Sequence, residues 1–153
     1  KDGCGVRNGV RFATVGGAAL GVERITCELA AAIDLWVENE VQPAALAMFG
    51  KRVTAIEDMG TYSCRNIIGS KLLSSRRSQH ATANAIDVAG FTLDGGKKIS
   101  VLKDWSGSGP EAEFLHRIHR EGCHYFRVAL SPNYNPEHKN HFHFDRGLGW
   151  VCR

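Results

Sequence analysis

Ala85-Ile86-Asp87-Val88-Ala89-Gly90-Phe91-Thr92-Leu93 runs into Asp94-Gly95-Gly96 and then into Lys98-Ile99-Ser100-Val101-Leu102, and this stretch decides the fold. A mostly apolar segment bounded by turn formers reads as a buried strand, Ala85–Leu93. Asp94-Gly95-Gly96 turns the chain into a second strand, Lys98–Leu102, so the two form a hairpin. One residue is out of place in such a run. Asp87 brings a carboxylate into a buried strand, which is costly unless the group is paired or metal-bound.

Outward from the hairpin, helices precede and strands follow. Ile25, Leu29, Ile33 and Trp36 fall at helical spacing and predict an amphipathic helix over about residues 23–39, with Trp36 in the core. A second short helix follows Pro43, a residue tolerated in a first turn. Residues 1–20 are Gly-rich without sustained periodicity and read as an irregular arm, with one short strand near Val10–Ala13. Lys51–Ile56 reads as a further strand. After the hairpin, Gly107-Ser108-Gly109-Pro110 leads into a helix over about 110–121 with Phe114, Leu115 and Ile118 on its apolar face. Phe126–Leu130 and His141–Asp145 close the chain as strands. Helices packed on a small, mostly antiparallel sheet make an α+β fold, with residues 1–153 as a single domain.

Composition narrows the function classes. The chain has 153 residues, 43% of them hydrophobic and 23% charged, which excludes a disordered or collagen-like protein. Lys and Arg number 19 against 16 acidic residues, and a net +3 with scattered cations is too mild to predict a nucleic-acid stripe. No apolar run approaches the roughly 20 residues of a membrane span. No secretory signal is visible at Lys1, which does not argue for the cytosol. The five cysteines, at 4, 27, 64, 123 and 152, form no C-x-x-C pair, which argues against thiolate zinc or a thioredoxin-type redox motif. Their wide spacing suits disulfides in an oxidising compartment, against the alternative of buried thiols. Cys123–Cys152 is the preferred pair, since it ties the chain's end to the domain. Cys4, Cys27 and Cys64 then share one bridge and leave one thiol, with the connectivity open.

The chemistry concentrates in two segments. In Glu137-His138-Lys139-Asn140-His141-Phe142-His143-Phe144-Asp145, strand alternation puts His141, His143 and Asp145 on one face and both Phe on the other. In Ser78-Gln79-His80-Ala81-Thr82-Ala83-Asn84-Ala85-Ile86-Asp87, one continuous strand would place His80 and Asp87 on opposite faces. A bend over the small residues Ala81–Ala85 brings both to one metal. Histidine, aspartate and histidine from neighbouring strands make a three-ligand zinc site with its fourth position open, as catalytic zinc requires. Such an ion acidifies water and polarises a carbonyl. The ligand types also suit manganese or iron. With His141 as a fourth ligand the site would instead be closed and structural. Ser78 orients His80 rather than acting as a nucleophile, for no Gly-x-Ser-x-Gly elbow surrounds it. Asp145 either orients a ligand histidine or caps its strand. Asp104-Trp105 lines the cleft or joins the core. His116 and His119 fall on a solvated helix face, and His124 is structural or exposed.

His-x6-Asp followed by His-x-His resembles the LAS group of zinc peptidases (lysostaphin, D-Ala-D-Ala peptidases, hedgehog). Ser-x-His-x5-Ala-x-Asp and His138-x-x-His141-x-His143 are most similar to penicillin-insensitive murein endopeptidases. Nearly the whole chain also resembles the bacterial extensin-like carboxy-terminal domain, through Tyr62-Ser63-Cys64-Arg65, Ser78–Asp87, Asp104-Trp105 and His141–Asp145. That family name carries no plant cell-wall role. The resemblance implies a LAS/hedgehog-like fold with His80, Asp87 and His143 as zinc ligands and His141 and His138 as catalytic residues. One of the two would take a proton from the activated water, the other steady the intermediate or protonate the leaving amine. Arg65 and Ser78 fall on the substrate side, Arg65 as a variant of a Tyr-Arg pair that contacts substrate, or else as a surface salt bridge. Two departures stand out. Asn140 occupies the place of a general-base Glu, so histidine must serve, and Glu137 is read as a solvated loop residue. Ala83 stands where many relatives have Gly, which alters the local turn.

The expectation is a bacterial periplasmic or secreted zinc metallopeptidase, monomeric, acting on peptidoglycan stem peptides. It would hydrolyse cross-links of the D-alanyl–meso-diaminopimelate type through zinc-activated water. The alternatives are a D,D- or L,D-carboxypeptidase, an endopeptidase for L,D cross-links, and a non-catalytic zinc-stabilised wall-binding module. A His-rich nuclease lacks the basic surface it would need.

Overall fold

The computed structural model describes residues 2–153. The chain begins with a hairpin, β1 (Gly9–Val15) and β2 (Ala18–Thr26), joined by Gly16 and Gly17 at φ 51° and 79°. Positive φ at both central residues gives a turn whose twist matches that of the flanking strands. The irregular arm expected over residues 1–20 is therefore corrected in part: residues 2–8 are irregular and the expected strand at Val10–Ala13 lies within β1, but that strand is longer and is paired with β2. The hairpin's period is carried by β2, where Ala18, Leu20, Val22 and Ile25 are buried, while β1 is largely exposed. Short Gly and Ala residues dilute that alternation in the sequence.

Thr26 ends β2 and caps α1 (Cys27–Trp36), its hydroxyl accepting from the Leu29 N–H at 3.4 Å. The helix expected from residue 23 starts later because Ile25 is paired with Val10 across the hairpin. At Val37–Val41 the helix widens into one π turn and continues as α2 (Gln42–Phe49). Pro43 has no N–H with which to continue the α ladder, and the widened turn lies just before it. Gly50, at φ 63°, ends α2 by donating to the Leu46 carbonyl.

The rest of the chain adds β3 (Val53–Asp58), β4 (Ala85–Leu93), β5 (Lys98–Ser100), α3 (Val101–Asp104), α4 (Pro110–Gly122), β6 (Val128–Leu130), β7 (Phe142–Asp145) and β8 (Val151–Cys152). The order across the sheet is β1-β2-β3-β4-β7-β6-β8. The β2–β3 and β6–β8 pairs are parallel and the others antiparallel, so the sheet is mixed. β4 is its centre: β3 covers one edge, and on the other β7 pairs with Ala85–Val88 and β5 with Gly90–Thr92. β5 stops two residues short of the expected Leu102 because the Ser100 hydroxyl caps α3. Helices and sheet share one α+β core. In it Trp36 meets Phe91, Phe126 and Phe144 edge-on and donates its indole N–H to the Ile118 carbonyl at 2.9 Å.

One expectation about α4 changes, and the choice left open for Trp105 is decided. His119 is not solvated: it is 6% exposed, lies against Trp105, Phe142 and Phe144, and its Nε2 has no hydrogen-bond partner. It follows Leu115 by one turn and so shares the buried face. His116 lies over Trp105, with Nε2 2.8 Å from the Trp105 carbonyl oxygen. Trp105 joins the core rather than the cleft, donating to the Asn133 side-chain oxygen at 3.0 Å. Disulfides join Cys4 to Cys64 and Cys123 to Cys152, and Cys27 is an exposed free thiol. Two bridges fit an oxidising compartment. Among the described residues, no helix is long and apolar enough to cross a membrane.

Candidate metal centre

Three local devices bring His80 and Asp87 together. The Ser78 hydroxyl accepts from the His80 backbone N–H at 3.3 Å and caps the 3-10 turn Gln79–Thr82. Ala83 then takes a left-handed conformation, φ 52°, which bends the chain before β4 begins at Ala85. A left-handed residue is where glycine is preferred, so the Ala83 departure falls on this turn. Asp87, third in β4, pairs directly across the ladder with His143 of β7. Phe142 and Phe144, fully buried on the opposite face, anchor β7. Burying each contributes about 1.5–3 kcal/mol.

The result is a compact donor set. His80 Nε2 lies 3.2 Å and His143 Nδ1 3.0 Å from the same Asp87 oxygen, and one ligand atom from each of the three residues lies within 4.8 Å of the others. Ligands about 2.0–2.2 Å from a tetrahedral ion stand about 3.3 Å apart, so this spacing suits one cation. The outer nitrogens fix the tautomers. His80 Nδ1 is 3.2 Å from the Thr61 carbonyl and donates to it, which leaves Nε2 as a lone pair; that buried Nε2 makes no aligned hydrogen bond despite its distance to Asp87. His143 donates Nε2–H to Asp145 at 2.8 Å, and its Nδ1 faces Asp87. Asp145 is itself fixed by the Gly147 N–H on its other oxygen, 2.9 Å away.

The charges agree with this geometry. Burial pushes the Asp87 carboxyl up, but its hydrogen bond with His143 and the His80 imidazole beside it outweigh that and hold the group well below the usual carboxylate range. Burial pulls the His143 imidazole down, yet hydrogen bonds to Asp145 and Asp87 and their charges raise it to about 9. The pocket thus stabilises a positive charge between His143 and Asp87. A proton on Nδ1 meets that demand in part; a divalent cation meets it together with the orphaned Nε2 of His80. The residues present fit a metal.

His138 and His141 stand beside this set. His141 Nε2 is 3.7 Å from Asp87, and its Nδ1 is held by the Asn140 side-chain oxygen at 2.8 Å. His138 Nδ1 is held in the same way by Asn135, and the two rings are 5.1 Å apart. Burial lowers both imidazoles below their ordinary value, His138 to about 4 with the neighbouring His143 and His141 adding to the effect. Both are therefore neutral at pH 7, and each turns a bare Nε2 away from its asparagine. Asn135 and Asn140 were not recognised from the sequence. Asn140 looked like an absent base, and its place directly before His141 was the available signal.

These histidines line a cleft of about 450 Å³ that also contains Arg65, Ser78 and Tyr134. Arg65 donates to the Asn66 carbonyl at 3.3 Å and has no carboxylate partner among the described residues, so it is no surface salt bridge. Ser78 supports His80 through its backbone, while Thr61 holds the imidazole. Glu137, read as a solvated loop residue, is exposed at the cleft wall.

No curated protein and no solved structure matches the chain. The family described as Extensin-like protein C-terminus matches it from residue 1 to residue 153, and the chain belongs to that family.

Proposed function

We propose that the chain is a zinc-dependent hydrolase of amide bonds in peptidoglycan stem peptides, of the LAS type, acting on D-alanyl–meso-diaminopimelate cross-links. The observation that carries the proposal is the cleft's division of labour. Three donor atoms converge on one point, and two further histidines, neutral at pH 7, stand beside them. A bound zinc supplies a water of lowered pKa and polarises the amide carbonyl.

The chain's own residues do the rest. His80, Asp87 and His143 hold the ion, and Asp145 and Thr61 fix the two ligand imidazoles in the tautomers that point a lone pair inward. His141 and His138 present Nε2 lone pairs to accept a proton from the attacking water and return it to the leaving amine. Arg65 offers a guanidinium to a stem-peptide carboxylate or to developing negative charge. The family resemblance and the two disulfides support a bacterial periplasmic or secreted setting.

The test is muropeptide analysis of diaminopimelate-type peptidoglycan incubated with zinc-loaded protein and with a chelated control. Loss of cross-linked dimers only with zinc supports the endopeptidase. Shortened monomers with intact dimers would replace it by a carboxypeptidase. An unchanged profile would refute the enzyme and favour a wall-binding module.

A further inference from the structure

We infer that the mouth of this cleft is a docking surface for an anionic lipid bilayer. Between Asp58 and Asp87 the chain has no acidic residue, and within that stretch lie Arg65, Lys71, Arg76 and Arg77. None of these four cations has a carboxylate partner among the described residues. The same loop holds large apolar side chains in water: Leu72 is 93% and Ile68 58% exposed. The segment after β7 repeats the pattern, with Leu148 94% and Trp150 70% exposed and Arg127 lying over the Trp150 ring at 5.3 Å. Ile68 and Leu148 both line the cleft, so both loops border its mouth.

Cations alone would suit a wall peptide's carboxylates. Stem peptides, however, offer little apolar surface to cover two nearly bare leucines and a tryptophan. A bilayer interface answers both features, since acyl chains accept leucine, the headgroup level accepts tryptophan, and anionic headgroups attract the unneutralised cations. This inference stands whether or not the cleft hydrolyses peptides.

Co-sedimentation of the full chain with vesicles of phosphatidylethanolamine and phosphatidylglycerol at 7:3, against phosphatidylcholine alone, tests it without reference to activity. Partition should favour the anionic vesicles and weaken with salt. Tryptophan emission should shift to the blue, and the shift should vanish in Trp150→Phe, because Trp36 and Trp105 are already buried. Leu72→Ser should weaken partition about tenfold. Lys71→Ser combined with Arg76→Ser should weaken it by about thirtyfold. Equal partition onto both vesicles, or none, overturns the proposal. So does a Leu72-dependent dimer in sedimentation velocity, or insoluble peptidoglycan binding that these variants weaken while vesicles are ignored.

Discussion

His119 should make the protein acid-labile in a window set by its own burial. The ring lies 6% exposed among Trp105, Phe142 and Phe144 with Nε2 unpartnered. Burial pulls its pKa down to about 4, with neighbouring His116 adding to the lowering and a hydrogen bond to the Ala129 backbone offsetting it only in part. Above pH 6.5 both folded and unfolded states hold the imidazole neutral, and its contribution is constant. Below that the unfolded chain takes up a proton that the folded chain refuses, so stability falls with pH until about 4 and then levels off. At 1.36 kcal/mol per unit, the window amounts to about 3 kcal/mol. His119→Leu removes the titration, and the Ala129 carbonyl keeps the Arg153 N–H at 3.0 Å as a partner. Urea unfolding of the chelated protein at pH 7.5, 6.5, 5.5 and 4.5 measures this. The difference between variant and parent isolates the term, because the other titrating groups are common to both. The variant should lie within about 1.5 kcal/mol of the parent at pH 7.5. It should gain on the parent by about 3 kcal/mol towards pH 4. A difference that does not change with pH would refute the reasoning.

Other consequences are as definite. Replacing Cys4 and Cys64 by Ser opens a bridge between residues 60 apart in sequence and should cost up to about 4 kcal/mol in urea unfolding; an unchanged midpoint would contradict it. Asp145→Ala releases His143 Nε2 and should weaken zinc affinity about ten- to hundredfold in competition with a chromophoric chelator. Equal affinity would deny Asp145 its orienting role. Asn140→Leu frees the His141 ring and should lower kcat about tenfold or more with zinc content unchanged. Unaltered turnover would show that Asn140 does not position His141.

Much of this architecture is legible in the sequence, for local reasons. Ala85–Leu93 is read to the residue because an apolar run between turn formers leaves little choice of boundary. The faces of β7 follow from strict alternation of Phe with His and Asp. The β1–β2 hairpin was missed because Gly and Ala blur its period, although Gly16-Gly17 was a usable turn signal. β8 was missed because a two-residue strand exists only through its pairing with β6. At the site, the ligand-type residues were visible and the groups that orient them mostly were not. Thr61 acts on His80 through a backbone carbonyl from 19 positions away, and every residue type carries one. The burial of His119 is likewise tertiary, since the aromatic rings around it come partly from β7.

Metal content after exhaustive dialysis, with equal zinc supplied to each protein, tests the central claim most directly. One zinc per chain is expected in the parent and in His141→Ala, and none in His80→Ala or His143→Ala. Zinc lost from His141→Ala, or kept by His143→Ala, would contradict a three-ligand centre built from His80, Asp87 and His143.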